Sequence, residues 1–509
     1  PKPAADEVLV KLEYVGICGS DMHYYETGRI GDYVVEPPFV LGHEPGGTVV
    51  EVGKNVKHLK VGDRVALEPG KTCGHCEYCR EGKYNLCPDV VFFATPPVDG
   101  VFQEYVAHEA DLCFKLPENV STLEGHTIAK PKLFRISTVP MSLNLLLKGQ
   151  LNFLNQDFDV TAISGEGADL ELVKEREGVK THPIEMHRHI SLKQDLASLW
   201  RLYRYFKKEK PDIIHSITPK AGLLSMLAGL LAGVPIRMHT FTGLIFPHRE
   251  WYMKHTLIMM DKLLCKCATN VYPEGNGVKQ DLIKHKITKK PLKVIAHGNI
   301  NGIDLEEYNP SHFTDEFKRL TRQKYGIDDE DFVFLFVGRL VIDKGLRELV
   351  SAFNHLSKKT PHIKLVLVGP RENEKSTKKK KMFSVIENNP NILEIGYQQE
   401  VRPFYAISDV FVLPSYREGF PNAVIQAGAM ELPSIVTNIS GCNEIIKDYK
   451  NGIIVPKKDK KILEGAMHAL IQVPELRKNL KQNTRQIISQ YFDKNIVWRE
   501  LKKEYDRLM

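Results

Sequence analysis

Near residue 125 the sequence changes texture, and the two sides of that change cannot share one fold. Residues 1–125 carry short β-forming runs (VLVKLEYV, GGTVVEVG, DRVAL, FQEYVA) set apart by Gly, Pro and Asp, the pattern of a mainly-β domain. From Lys132 onward, apolar runs such as LFRIS, FDVTAIS, DIIHSI, FVFLFVG, IKLVLVG and DVFVLPS alternate with helical stretches. Continuous apolar strands separated by helices predict parallel sheets covered on both faces, an α/β fold. At 509 residues the chain exceeds one ordinary domain. The expected division is 1–125, a linker at 126–131, an α/β domain over 132–300, a second over 301–475, and a helical tail over 476–509 that crosses back. Two doubly wound domains place a ligand cleft at the carboxyl ends of their strands.

Composition narrows the class. With 42% hydrophobic and 26% charged residues the chain has the make-up of a globular protein, which excludes disorder as its ground state. The net charge of +7 favours acidic partners such as phosphate esters, anionic lipid surfaces or nucleic acid without choosing between them, and no nucleic-acid partner is expected. The longest apolar stretch, Ala221 to Ile236, is shorter than a bilayer requires and is broken by Gly222, Gly229, Gly233 and Pro235. It predicts a buried helix ending at Gly233 and a strand starting at Pro235.

Six of nine cysteines lie in the first quarter. Cys73-x2-Cys76-x2-Cys79-x7-Cys87 offers four thiolates at the short spacing that closes tetrahedrally around zinc. Such a closed site has no open coordination position and serves structure alone. Cys18 in GICGSD and His43 in LGHE, with Glu44 beside it, form the mixed ligand set of a zinc site that keeps an open position. Reduced cysteines with no signal peptide in view predict a cytoplasmic protein, extending to the inner face of the membrane.

GICGSD, LGHEPGGTVVEVG, VGDRVALEPG and the four-cysteine lobe together resemble the catalytic, GroES-like domain of zinc-dependent medium-chain dehydrogenases, in particular the sorbitol and xylitol dehydrogenase branch. The resemblance implies Cys18 and His43 as catalytic-zinc ligands, Glu44 as a ligand or outer-shell group, and Cys73, Cys76, Cys79 and Cys87 as structural-zinc ligands. In that family a dinucleotide-binding domain follows, yet no G-x-G-x-x-G stands after a strand here. Bound NAD and dehydrogenase turnover are therefore not expected, and a polyol dehydrogenase is the alternative function.

The α/β part carries different chemistry. A transferase that releases a nucleoside diphosphate needs cations and helix N-termini aimed at phosphate. FVFLFVGRLVIDKG provides a strand, a turn at Gly338, then Arg339 and Lys344, a fork and a point charge for phosphate oxygens. SYREGFPNAVIQAGAMELP places Glu418 after a strand, then Gly419, Phe420, Pro421, Asn422 and a helix bearing Gln426. These motifs resemble family 4 glycosyltransferases of the GT-B fold over residues 132–509. The resemblance implies a retaining, metal-independent transfer from a nucleotide sugar, expected to be a UDP-sugar, to a saccharide or polyisoprenoid-linked acceptor. Arg339, Lys344 and Glu418 are the expected catalytic residues. Gly338, Gly419, Phe420, Pro421, Asn422 and Gln426 are expected around the nucleotide, Gln426 standing where the family usually has a second glutamate.

On the acceptor side, PDIIHSITPKAGLL and VPIRMHTFTGLIF resemble segments of bacterial capsule and O-antigen transferases. They make His239, expected just after a strand at the cleft, the candidate sugar-contacting histidine, with His215 and Lys220 secondary. The basic runs Arg201 to Lys210 and Lys378 to Lys381 suggest peripheral contact with anionic lipid headgroups.

Overall fold

The structure, a computed structural model, describes every residue except 81–85, 119, 126–129, 188–190, 245, 247–249 and 373–376, and only the backbone of 124–125 and 377–379. Four of the six residues assigned to the linker, and the side chains of Lys378 and Lys379, lie outside that set. The chain divides into two compact units, Pro1–Lys130 and Pro131–Met509.

The first unit is built on a five-stranded antiparallel sheet in the order Tyr105–Glu109, Glu7–Gly16, Glu44–Val52, Arg64–Leu67, Cys113–Lys115. Alternation sends Val8, Val10, Val49 and Val65 into a small apolar core that Leu59, Val101 and Val106 complete. Each such side chain stabilises the fold by roughly 1.5–3 kcal/mol. A core this small leaves the cysteine lobe and the loop around His43 to be held by other means.

The second unit contains two parallel six-stranded sheets. The first runs Lys180–Pro183, Asp159–Ser164, Lys132–Ile136, Ile213–Ser216, Ile236–Phe241, Asn270–Pro273. The second runs Ile392–Gly396, Ile363–Val368, Phe332–Val337, Val410–Leu413, Ser434–Thr437, Gly452–Val455. Numbered along the chain, each has the order 3-2-1-4-5-6 of a doubly wound domain, with the switch point between its first and fourth strands. These are the two Rossmann-like halves the GT-B resemblance implies. Strands such as Val333–Phe336 and Val410–Val412 are buried throughout, because helices cover both faces.

The apolar stretch after Thr218 folds as the helix Pro219–Ala232, closed by Gly233 in the left-handed region, and the next strand begins at Ile236. The chain ends in two helices, Pro474–Phe492 and Lys494–Leu508. The last of these packs Leu501 and Tyr505 into the core of the first half, beside Leu133, Val160 and Ile213. Among the described residues, no helix is long and apolar enough to cross a membrane.

Candidate active site and metal centres

The switch point of the second half gathers the cationic motif. The loop leaving Phe332–Val337 turns at Gly338 and reaches Lys344 through the short 3-10 turn Ile342–Lys344. Gly345 ends that turn at φ +69°, where a Cβ would stand 1.9 Å from the Pro414 carbonyl oxygen, so only glycine lets the two loops meet this closely. Lys344 Nζ consequently lies 2.5 and 2.7 Å from the two carboxylate oxygens of Glu418, whose side chain is 10% exposed.

Glu418 is carried by the loop after Val410–Leu413, and the next residue touches the other half. A Cβ on Gly419 would stand 2.2 Å from the Thr242 carbonyl oxygen, and Gly243 lies against the Gly419 backbone. Thr242 follows the strand Ile236–Phe241 of the first half and donates to the Ile217 carbonyl through Oγ1 at 3.0 Å. Nearby, at the first half's own switch point, the Thr138 and Thr218 hydroxyls meet at 2.7 Å. The Lys344–Glu418 pair therefore sits where the carboxyl edges of both sheets approach each other.

Arg339 departs from the expected convergence. Its Nη1 pairs with Glu372 at 2.5 Å, and its side chain is 55% exposed. The cause is register. Val337 pairs with Val368 and Leu340 bridges Arg371, so the loops following these neighbouring strands emerge side by side and bring Glu372 to the guanidinium.

The remaining nucleotide-side candidates have packing roles. Phe420 is buried against Phe492 and Gly298. Pro421 precedes the first turn of the helix Asn422–Ala429. Asn422 Oδ1 accepts from Asn299 Nδ2 at 2.7 Å. The Gln426 amide is held between two tyrosines, donating to Tyr308 at 2.8 Å and accepting from Tyr405 at 3.2 Å.

His239 requires a correction. It lies inside the strand Ile236–Phe241 and not after it, and its side chain is buried. Nδ1 meets Ser216 Oγ at 2.8 Å, the ring packs edge-on against Phe241, and Gly222 leaves the space it fills. Burial pushes the imidazole down to about 3, so it stays neutral inside the fold. His215, also buried, bonds Tyr505 at 2.6 Å and Thr240 at 2.8 Å and so ties the terminal helix to the sheet. Lys220 pairs with Asp195 at 2.7 Å.

Two carboxylates that the sequence reading passed over lie at the junction of the halves. Glu444, from the second half, accepts from the backbone N–H groups of Asn276 and Gly277 at 2.5 and 2.9 Å. It thereby caps the helix Asn276–Lys284 of the first half, where the dipole favours negative charge. Glu274 is buried beside Gly419; burial, with the Glu444 charge adding to it, pushes its carboxyl up to about 8.

In the first unit, the sulfur atoms of Cys73, Cys76, Cys79 and Cys87 all lie within 4.8 Å of one another, with Cys73 and Cys79 4.0 Å apart. Tetrahedral thiolates at a zinc–sulfur distance of about 2.3 Å stand roughly 3.8 Å apart, so the lobe fits zinc. Backbone N–H groups of His75 and Cys76 pull the Cys73 thiol down to about 6, toward the thiolate a metal needs. Cys18, His43 and Glu44 form a second set whose ligand atoms also lie within 4.8 Å. Buried Asp21 organises it, accepting from the backbone N–H groups of Cys18 and Gly42 at 2.9 Å each and standing 3.5 Å from His43 Nδ1. That is the outer-shell clamp a histidine ligand requires.

Comparison with known proteins agrees with this division. Residues 4–118 match the alcohol dehydrogenase GroES-like domain, residues 151–307 match glycosyltransferase family 4, and residues 317–487 match glycosyl transferases group 1. Over 380 residues the chain is 32% identical to the capsular polysaccharide biosynthesis glycosyltransferase CapM of Staphylococcus aureus, covering 74% of this chain and 97% of that protein. It is 55% identical over 144 residues to the sorbitol dehydrogenase of Bacillus subtilis, where it spans only 41% of the relative's length and 26% of its own. In fold, it superposes on HepE from Anabaena, solved in complex with UDP, with a TM-score of 0.63 at 18% identity, over 74% of this chain and all of that one. Through residues 151–487 the chain belongs to the group 1 and family 4 glycosyltransferases, and ahead of them it carries a GroES-like alcohol dehydrogenase domain.

Proposed function

We propose that the Pro131–Met509 unit transfers a sugar from a UDP-sugar to a saccharide or polyisoprenoid-linked acceptor in bacterial surface polysaccharide synthesis, with retention at the anomeric carbon. The observation that carries the reading is the Lys344–Glu418 pair at the edge where the two halves meet. Lys344 supplies positive charge for the departing diphosphate, and Arg339 adds a second cation by leaving Glu372 for the phosphate oxygens. Glu418 accepts from donor-sugar hydroxyls once Lys344 turns to phosphate. Gly338 and Gly419 let backbone approach the nucleotide, and Phe420, Pro421, Asn422 and Gln426 support its ribose side. The likeness to a capsular polysaccharide biosynthesis glycosyltransferase supports a role in surface polysaccharide synthesis, and the UDP bound by HepE supports the choice of donor. We place the enzyme in the cytoplasm, at the inner face of the membrane where lipid-linked acceptors are reached.

Screening UDP-glucose, UDP-galactose and their N-acetyl forms for UDP release tests the donor. Release with none of them would refute the UDP assignment. NMR of the product's anomeric proton decides retention or inversion.

The metal clusters favour a second, non-exclusive reading of residues 1–125 as a zinc-holding module. Cys73, Cys76, Cys79 and Cys87 would hold one ion as a staple, and Cys18, His43 and Glu44 would hold another. Because the chain spans less than half of the dehydrogenase, the module is proposed not to turn over polyols. Incubation with sorbitol and NAD is expected to give no NADH, and steady NADH formation would reverse that assignment.

A further inference from the structure

The helix Leu192–Glu209 buries Ser198, Leu202 and Phe206 against the first half's sheet, so its opposite side should be polar. Instead, the outward stripe at i, i+4 and i+8 is Leu192, Leu196 and Trp200, which are 78%, 65% and 57% exposed. The helix Trp251–Cys267 likewise turns Trp251, Tyr252 and Met259 outward. Both helices pack against Pro219–Ala232, which lies between them in one layer. Each follows a strand of a parallel sheet, so both begin at its carboxyl edge, the edge that carries Thr242 and faces Gly419.

Charge frames the apolar stripe. The two helices hold eight lysines and arginines against the three acids Asp195, Glu209 and Asp261. Asp195 is taken up by Lys220, and the Arg204 guanidinium lies 4.6 Å over the Trp200 ring. An outward stripe of Leu and Trp inside a basic border is the pattern that lies on an anionic lipid interface.

We propose that this face, formed by Leu192, Leu196, Trp200, Trp251 and Tyr252, docks on an anionic bilayer and holds the acceptor half at the membrane surface. The proposal deepens the lipid-linked reading above and rests on it for the direction of the cleft. The surface chemistry stands independently.

The chain has three tryptophans, and the third, Trp498, is buried in the fold. Vesicles containing phosphatidylglycerol should therefore cosediment the full chain and shift its tryptophan emission to the blue. Pure phosphatidylcholine should do so at least tenfold more weakly, and salt should weaken the anionic case. The double variant Trp200→Phe/Trp251→Phe should still cosediment but lose the blue shift. The triple variant Leu192→Ser/Leu196→Ser/Trp200→Ser should lose cosedimentation at least tenfold while releasing UDP from donor as the wild type does.

Cosedimentation of the triple variant equal to wild type, or a shift that persists without Trp200 and Trp251, would overturn the proposal. So would a wild-type dimer that this variant turns into a monomer, because the face would then be a protein interface. Vesicle binding without UDP release from any donor would instead sink the transferase reading and leave the lipid face standing.

Discussion

Lys344 Nζ and the Glu418 carboxylate are joined by two contacts of 2.5 and 2.7 Å, although 74 residues separate them in the chain. The pair exists because the first and fourth strands of a doubly wound sheet are neighbours at its switch point, so the loops following them face each other. Replacing Glu418 by Gln keeps the shape and removes the charge. Loss of one charge-assisted contact in the transition state is worth about 1.5–3 kcal/mol, so kcat for UDP release should fall about 10- to 150-fold. Steady-state kinetics checks this.

Glu444 is expected to act as a latch between the halves. Glu444→Ala strips the cap from Asn276 and Gly277 and should cost roughly 1–2 kcal/mol. Its signature is local. Amide hydrogen exchange at Asn276 and Gly277 should accelerate, along with a lower urea midpoint.

Glu274 makes stability depend on pH in a defined direction. Its carboxyl stays protonated in the fold to about pH 8, whereas in the unfolded chain it ionises near 4.5. The stabilisation is full below pH 4.5, declines as pH rises toward 8 and is flat above it, a loss of at most about 5 kcal/mol. Glu274→Gln should flatten that slope. Chemical denaturation at pH 5, 6.5, 8 and 9 compares the two.

Much of this is legible in the sequence. The change of texture near residue 125, the four-cysteine spacing, and the strand–turn–cation and Glu418 motifs each rest on local pattern, and local pattern survives folding. Strand order is not local. Thr138, Thr218 and Thr242 become neighbours only because the first sheet switches direction between Lys132–Ile136 and Ile213–Ser216. His239 falls inside its strand and not after it, because the strand continues to Phe241 and is buried from Met238 onward. Nothing local marks Glu444, because its partners Asn276 and Gly277 lie 168 and 167 positions away.

Metal removal should act on the Pro1–Lys130 unit alone. Elemental analysis of freshly purified protein is expected to find zinc. Chelation should lower the melting temperature of that unit, because a closed thiolate site binds metal only in the folded state, and leave UDP release from donor unchanged. Calorimetry with and without chelator reads both units in one scan.

If Lys344 and Arg339 receive the diphosphate of a nucleotide, isothermal titration with UDP reads that contact without any acceptor. The wild-type chain should bind saturably, and Lys344→Ala and Arg339→Ala should each weaken binding at least tenfold with the fold intact. UDP affinity equal to wild type in both variants would contradict it.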